Sequence, residues 1–215
     1  DRYAARTKLC AVLPRVFRTE DEALFREKLQ RFPQLSAVAV GNLGHLPIVE
    51  GLGLEVRGDF GLNVFNSRAL AFLRELGLAS ATVSFELRHQ QVRDLAKLLP
   101  CEGIVYGRLP LMVMENCITK NNVGCRHGAG STLTDRTGAQ FPVQCVYGCR
   151  NEIENSLPLF LADKAEWRGC GLTSARLRFT TETADECAAI LRRYRGEGDY
   201  APEKYTRGLF YRGVE

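Results

Sequence analysis

Apolar, β-branched runs alternate with amphipathic helical stretches along the first half of the chain, and this alternation restricts the fold more than any other feature. The runs are Lys8–Leu13, Ala37–Val40, Leu54–Val56 with Leu62–Phe65, Ala81–Phe85 and Gly103–Tyr106. Between them Glu20–Arg31, Ser67–Leu76 and Leu87–Leu98 carry apolar residues at three- and four-residue spacing, as in Leu70, Leu73 and Leu76. Near-continuous apolar strands separated by helices predict a parallel sheet covered on both faces. Asn66-Ser67 reads as an N-cap for the middle helix and Gly77 as its stop. The predicted class is therefore α/β: the C-terminal part of a TIM-like β/α barrel with parallel strands, followed by a cysteine-bearing loop and a small α+β tail. A closed eight-stranded barrel needs about 250 residues, so five units leave a small open sheet as the rival architecture.

From Asn116 the texture changes. Thr119–Thr137 is rich in Gly, Asn, Thr and Ser without a helical period, and reads as a long functional loop. Gln140–Val146 is β-like, and Leu157–Leu161 follows as a short apolar segment. A helix near Ala162–Cys170, a strand at Ala175–Thr180 and a helix over Ala184–Tyr194, capped by Thr181 or Thr183, complete the pattern. The expected divisions are 1–116 for the β/α units, 117–157 for the cysteine-rich loop and 158–215 for the extension.

With 215 residues, 45% of them hydrophobic, the chain can bury a full core, which excludes disorder. A net charge of +4 is too small to argue for nucleic acid without clustering. No apolar run is long enough for a membrane helix, and the N-terminus lacks a signal-peptide core, so a soluble, cytoplasmic protein with no membrane partner is expected. The chain starts at Asp1 rather than Met, which suggests a processed or excised piece. Missing N-terminal strands would expose a sheet edge and favour self-association.

Eight cysteines in a cytosolic chain point away from disulfides and towards buried thiols, metal ligands or redox groups. Four of them, Cys117, Cys125, Cys145 and Cys149, form C-x7-C-x19-C-x3-C. Thiolates are soft ligands suited to iron–sulfur clusters and to zinc. The absence of any tight C-x2-C pair favours iron over zinc. Buried cysteines close in sequence by chance are the ordinary alternative. His127 is either a substitute ligand or a solvated loop residue.

Several segments are recognisable together: Glu55-Val56-Arg57-Gly58-Asp59, Leu62-Asn63-Val64-Phe65-Asn66-Ser67, Ser84-Phe85-Glu86-Leu87 and Tyr106-Gly107-Arg108-Leu109-Pro110-Leu111-Met112. With Cys117, Leu133-Thr134-Asp135-Arg136, Phe141-Pro142-Val143, Asn155-Ser156 and the ending from Thr206, the chain resembles the collagenase-like peptidase family of unassigned catalytic type, number thirty-two. The resemblance implies a barrel-like catalytic part and a [4Fe–4S] cluster on four cysteines downstream of the last barrel strands. Cys117 and Cys125 match the first pair and Cys145 the third ligand. Cys149 is the fourth, with Cys170 as fallback. Other members take part in hydroxylation of RNA bases or of quinone rings, with the cluster required.

In a barrel the chemistry sits at the C-terminal strand ends. Those ends carry Asn42, Asn63, Glu86 and Arg108. Glu86 is a candidate proton acceptor and Arg108 a fork for a carboxylate or phosphate, both placed in the catalytic set, while Asn42 and Asn63 would bind substrate. Turn and cap roles for Asn42 and Asn66 are the plain alternative. Arg207 and Arg212, interleaved with Tyr205, Phe210 and Tyr211, are candidates for RNA phosphate pairing and stacking. G-x-S-x-G and H-E-x-x-H are absent, which weighs against proteolysis.

Three readings follow. The first is an iron–sulfur enzyme of this family in hydroxylation-type modification of RNA. The second is a peptidase acting on protein, and the third a zinc-stabilised or metal-free binding module.

Overall fold

The computed structural model describes residues 3, 5–125 and 131–214. The chain divides into two compact units: Asp1–Gly103 with Arg168–Ala175 and Leu209–Glu215, and Ile104–Trp167 with Arg176–Gly208. His127 lies outside the described residues.

The first unit is a β/α succession: β1 (Leu9–Val12), α1 (Glu22–Gln30), β2 (Leu35–Val40), α2 (Leu46–Val49), β3 (Glu55–Gly58), α3 (Ser67–Glu75), β4 (Ser80–Thr82), α4 (His89–Asp94) and the start of β5 (Cys101–Gly107). The strands run parallel in the order β1-β2-β3-β4-β5. Ala37–Val40 is buried continuously, as a strand covered on both faces requires. Phe25 and Leu29 of α1 and Leu70 and Leu73 of α3 supply the helical side of the core. Asn66 caps α3 by accepting from the Ala69 N–H at 2.9 Å. Gly77, at φ +82, ends it in a left-handed turn.

The alternation thus predicts the parallel-rich α/β sheet correctly. Two local readings change. Leu62–Phe65 is not a strand: Asn63 turns left-handed at φ 48, and a single bridge from Val64 to Val83 remains. The helix expected over Leu87–Leu98 stops at Asp94, where Lys97 Nζ reaches back to the Val92, Arg93 and Leu95 carbonyls.

The second unit adds β6 (Pro110–Met114), α5 (Ile118–Val123), β7 (Ser131–Thr134), β8 (Gln140–Val146), β9 (Arg150–Glu154), β10 (Leu159–Phe160), part of β11 (Ser174–Arg178) and α6 (Ala184–Arg195). Its core gathers Tyr106, Phe160 and Ile190 with Leu177, Phe179 and Tyr194. The Tyr194 hydroxyl donates to the Val105 carbonyl at 2.6 Å and accepts from the Leu161 N–H at 3.0 Å. Strands β6, β9, β8 and β7 form an antiparallel sheet in that order. Thr183 caps α6 in a reciprocal box with Glu186.

The stretch Thr119–Thr137, expected as a long functional loop without helical period, contains most of α5 and all of β7, which pairs with β8. The helix expected near Ala162–Cys170 is reduced to one 3-10 turn at Arg168–Cys170, ahead of Gly171 at φ +68. Among the described residues no helix is long and apolar enough to cross a membrane.

Candidate functional site

The cysteine segment is organised by the β8–β9 hairpin. Gly148 (φ +73) and Cys149 (φ +57) form its turn, and a Cβ on Gly148 would lie 2.5 Å from an Arg150 guanidinium nitrogen. Arg150 is buried there, its Nε donating to Glu115 Oε1 at 2.9 Å and its Nη1 to the Tyr147 carbonyl at 3.3 Å. The register sets Cys145 opposite Asn151. Directly opposite residues of an antiparallel pair project from the same face, so the thiol and the amide meet.

Cys117 arrives from another element. It precedes α5 as its N-cap, and its sulfur accepts from the Lys120 N–H at 3.4 Å. Asn151 ties the two together: Nδ2 donates to Cys117 Sγ at 3.7 Å and to Cys145 Sγ at 3.6 Å, while Oδ1 accepts from the Ile118 N–H at 2.7 Å. Hydrogen bonds to the Lys120 backbone, Asn151 and Cys145 hold the Cys117 thiol below its ordinary range. Loss of solvation and the neighbouring Cys117 charge push Cys145 up, with Cys125 contributing in the same direction. Cys145 is thus within electrostatic reach of both Cys117 and Cys125. Cys149 stands exposed on the turn. All eight cysteines are free, and among the described residues no three His, Cys, Asp or Glu side chains already form a metal-holding group. Cys170 belongs to the first unit, where it is buried and donates to the His89 carbonyl at 3.4 Å.

The chemistry of the donor set suits a thiolate-held group: two sulfurs from separate elements converge on one buried amide, and soft ligands match iron or zinc.

Behind this sheet lies a buried ionic cluster. Arg178 donates through Nη1 to Glu154 Oε2 at 2.7 Å and to the Arg108 carbonyl at 2.6 Å, and through Nη2 to Glu152. Glu154 is fully buried, its Oε1 has no hydrogen-bond partner among the described residues, and burial pushes its carboxyl up despite the guanidinium. Gly107 (φ +118) lets the Arg178 backbone approach so closely that any Cβ would collide with its carbonyl. The Arg108 guanidinium is itself engaged, with Asn155 O at 2.9 Å, with Ser156 O and with Thr181 Oγ1 at 3.3 Å.

In the first unit, Asn42, Asn63 and Glu86 follow β2, β3 and β4, whose parallel course puts them along one edge of the sheet. Asn42 is a cap: Oδ1 accepts from Gly44 N–H at 2.9 Å and Nδ2 donates to the Arg15 carbonyl at 3.2 Å. Asn63 is an exposed left-handed residue. Glu86 is half-buried, and among the described residues no hydrogen bond or ion pair holds its carboxylate. Arg207 makes a two-pronged pair with Asp163 at 2.6 Å per contact, also donates to Phe160 O, and lies over the Tyr205 ring. Arg212 is exposed.

The same edge holds His45 and Asp59, both buried, which the sequence pattern did not single out. His45 Nε2 donates to the Pro14 carbonyl at 3.1 Å, so Nδ1 carries the lone pair, and it is buried without a partner among the described residues. The ring stacks on Phe17 at 4.6 Å. Burial lowers its pKa, outweighing the Pro14 carbonyl and the Asp59 charge. An unfolded histidine titrates at about 6.5. Below that pH the unfolded state binds the extra proton, so stability falls by up to about 1.4 kcal/mol per pH unit. Urea titrations between pH 7 and 5 should show this slope, and His45→Gln, which keeps a donor for Pro14, should flatten it. An unchanged slope in the variant would remove His45 from the acid response.

A family model described as peptidase family U32 matches residues 2–140. No curated protein and no solved structure matches the chain. The family match covers more than half of the sequence, taking in the whole β/α succession, Cys117 and Cys125, and the chain belongs to peptidase family U32.

Proposed function

We propose that the protein is an iron–sulfur-dependent U32 enzyme acting in hydroxylation-type modification of RNA, with its β/α units forming the C-terminal part of a barrel. The observation that carries this reading is the convergence of Cys117 and Cys145 on the Asn151 amide, with Cys125 within electrostatic reach of Cys145. Cys117, Cys125, Cys145 and Cys149 would hold a [4Fe–4S] cluster, which supplies one-electron transfer when bound. The chain's own residues hold the Cys117 sulfur at the start of α5 through the Lys120 N–H and the Asn151 amide, and buried Asn151 excludes bulk water from its side of the pair. Substrate contacts fall to Asn42, Asn63 and Glu86 on the first unit's sheet edge. Exposed Arg212 beside Tyr211 is the better RNA contact, because Arg207 already spends its fork on Asp163.

Protein purified without oxygen should show a broad absorbance near ~400 nm with matching iron and acid-labile sulfide. RNA from cells lacking the protein should then lose a base carrying one added oxygen, and gelatin should stay intact. A protein with zinc alone, or without metal after anaerobic reconstitution, overturns the cluster. Gelatin cleavage that survives loss of the cluster would establish the peptidase reading, which the family description alone supports.

A further inference from the structure

We propose that Asn151 is the residue that positions the Cys117 and Cys145 sulfurs and tunes the electron affinity of the group they hold; the inference rests on the cluster reading above. A primary amide at 0% exposure is costly to bury unless its polar atoms are satisfied. Asn151 satisfies them entirely within the cysteine segment: Oδ1 on the first N–H of α5, Nδ2 on both sulfurs and on the Arg150 carbonyl at 3.2 Å. It therefore fixes the N-terminus of α5, and Cys117 with it, against the strand that faces Cys145. The amide nitrogen is a donor and not a ligand, so its effect on a bound cluster is exerted through the sulfurs.

The sign follows from charge. Reducing a cluster adds an electron to an already anionic thiolate assembly, and N–H donors at the sulfurs stabilise that added charge. With Asn151 present the midpoint potential is higher than without it. Outer partners of this kind also hold ligands in place, and their loss typically weakens metal retention by about 10- to 100-fold.

The test uses the full chain, reconstituted anaerobically with iron and sulfide. Asn151→Asp keeps the shape and the acceptor for Ile118 while deleting the amide donor, and Asn151→Ala deletes both without adding charge. Ile153→Val, in the same strand, controls for packing, and circular dichroism checks folding. The readouts are the midpoint potential, from a dye-mediated titration followed by electron paramagnetic resonance, and the rate of cluster loss to a chelator. The expected result is a lower midpoint potential and about 10- to 100-fold faster loss in both Asn151 variants, with Ile153→Val unchanged. Folded Asn151 variants whose potential and lifetime equal those of the wild type would overturn the assignment and leave the cluster reading standing. A wild-type protein that takes up no cluster would overturn both.

Discussion

Arg178→Ala is expected to destabilise the second unit by about 3–5 kcal/mol, the usual cost of removing one partner from a buried ion pair. The guanidinium is the counter-charge for two carboxylates, one of them fully buried, and it also ties down the Arg108 carbonyl. Deleting it strands the Glu152 and Glu154 charges in a poorly solvated place. The pH dependence identifies the mechanism. Burial already holds the Glu154 carboxyl above its ordinary value, and without Arg178 the native carboxyl rises further. Between the unfolded and native values the native state binds more protons, so its stability increases as pH falls. The deficit measured by urea denaturation should therefore be large at pH 8 and smaller at pH 5. A deficit below about 1 kcal/mol, in the range of surface pairs, or one that grows on acidification, would contradict a buried ionic clamp.

The second large effect concerns the cysteines. Cys117→Ser and Cys145→Ser are each expected to reduce iron and sulfide per chain at least tenfold, roughly the scale at which even outer partners matter, because a hydroxyl is a hard, protonated donor where a soft thiolate is needed. Cys125→Ser and Cys149→Ser should follow. Cys170→Ser should retain the cluster, since that thiol is buried in the first unit on the His89 carbonyl. Cys10→Ser serves as a control outside the segment. Full cluster content in Cys145→Ser would remove the hairpin from the ligand set, and loss in Cys170→Ser with retention in Cys149→Ser would exchange the fourth ligand.

The parallel sheet was legible because burial on both faces writes itself as uninterrupted apolar strands, and helices reveal themselves by period and caps. Ala37–Val40, the Asn66 cap, the Gly77 stop and the Thr183 box are all local signals, and each appears where its residues predict. Strand β9 escaped the same reading. Its Arg150-Asn151-Glu152-Ile153-Glu154 looks like solvated chain, since charge normally marks a surface. It is buried because Arg178, Glu115 and the two sulfurs arrive from elsewhere to satisfy it.

The same division runs through the site. Sequence alone determined the family, the α/β character and the set of thiols, since each depends on residue type and spacing along the chain. Only the tertiary structure decided that Arg207 and Arg108 are engaged by neighbouring groups, that Asn42 is a cap, and that Asn151 joins Cys117 to Cys145. Those outcomes depend on which hydrogen-bond partner lies across a strand register or at a helix end, and a donor's partner many residues away leaves no trace in the pattern of its own segment.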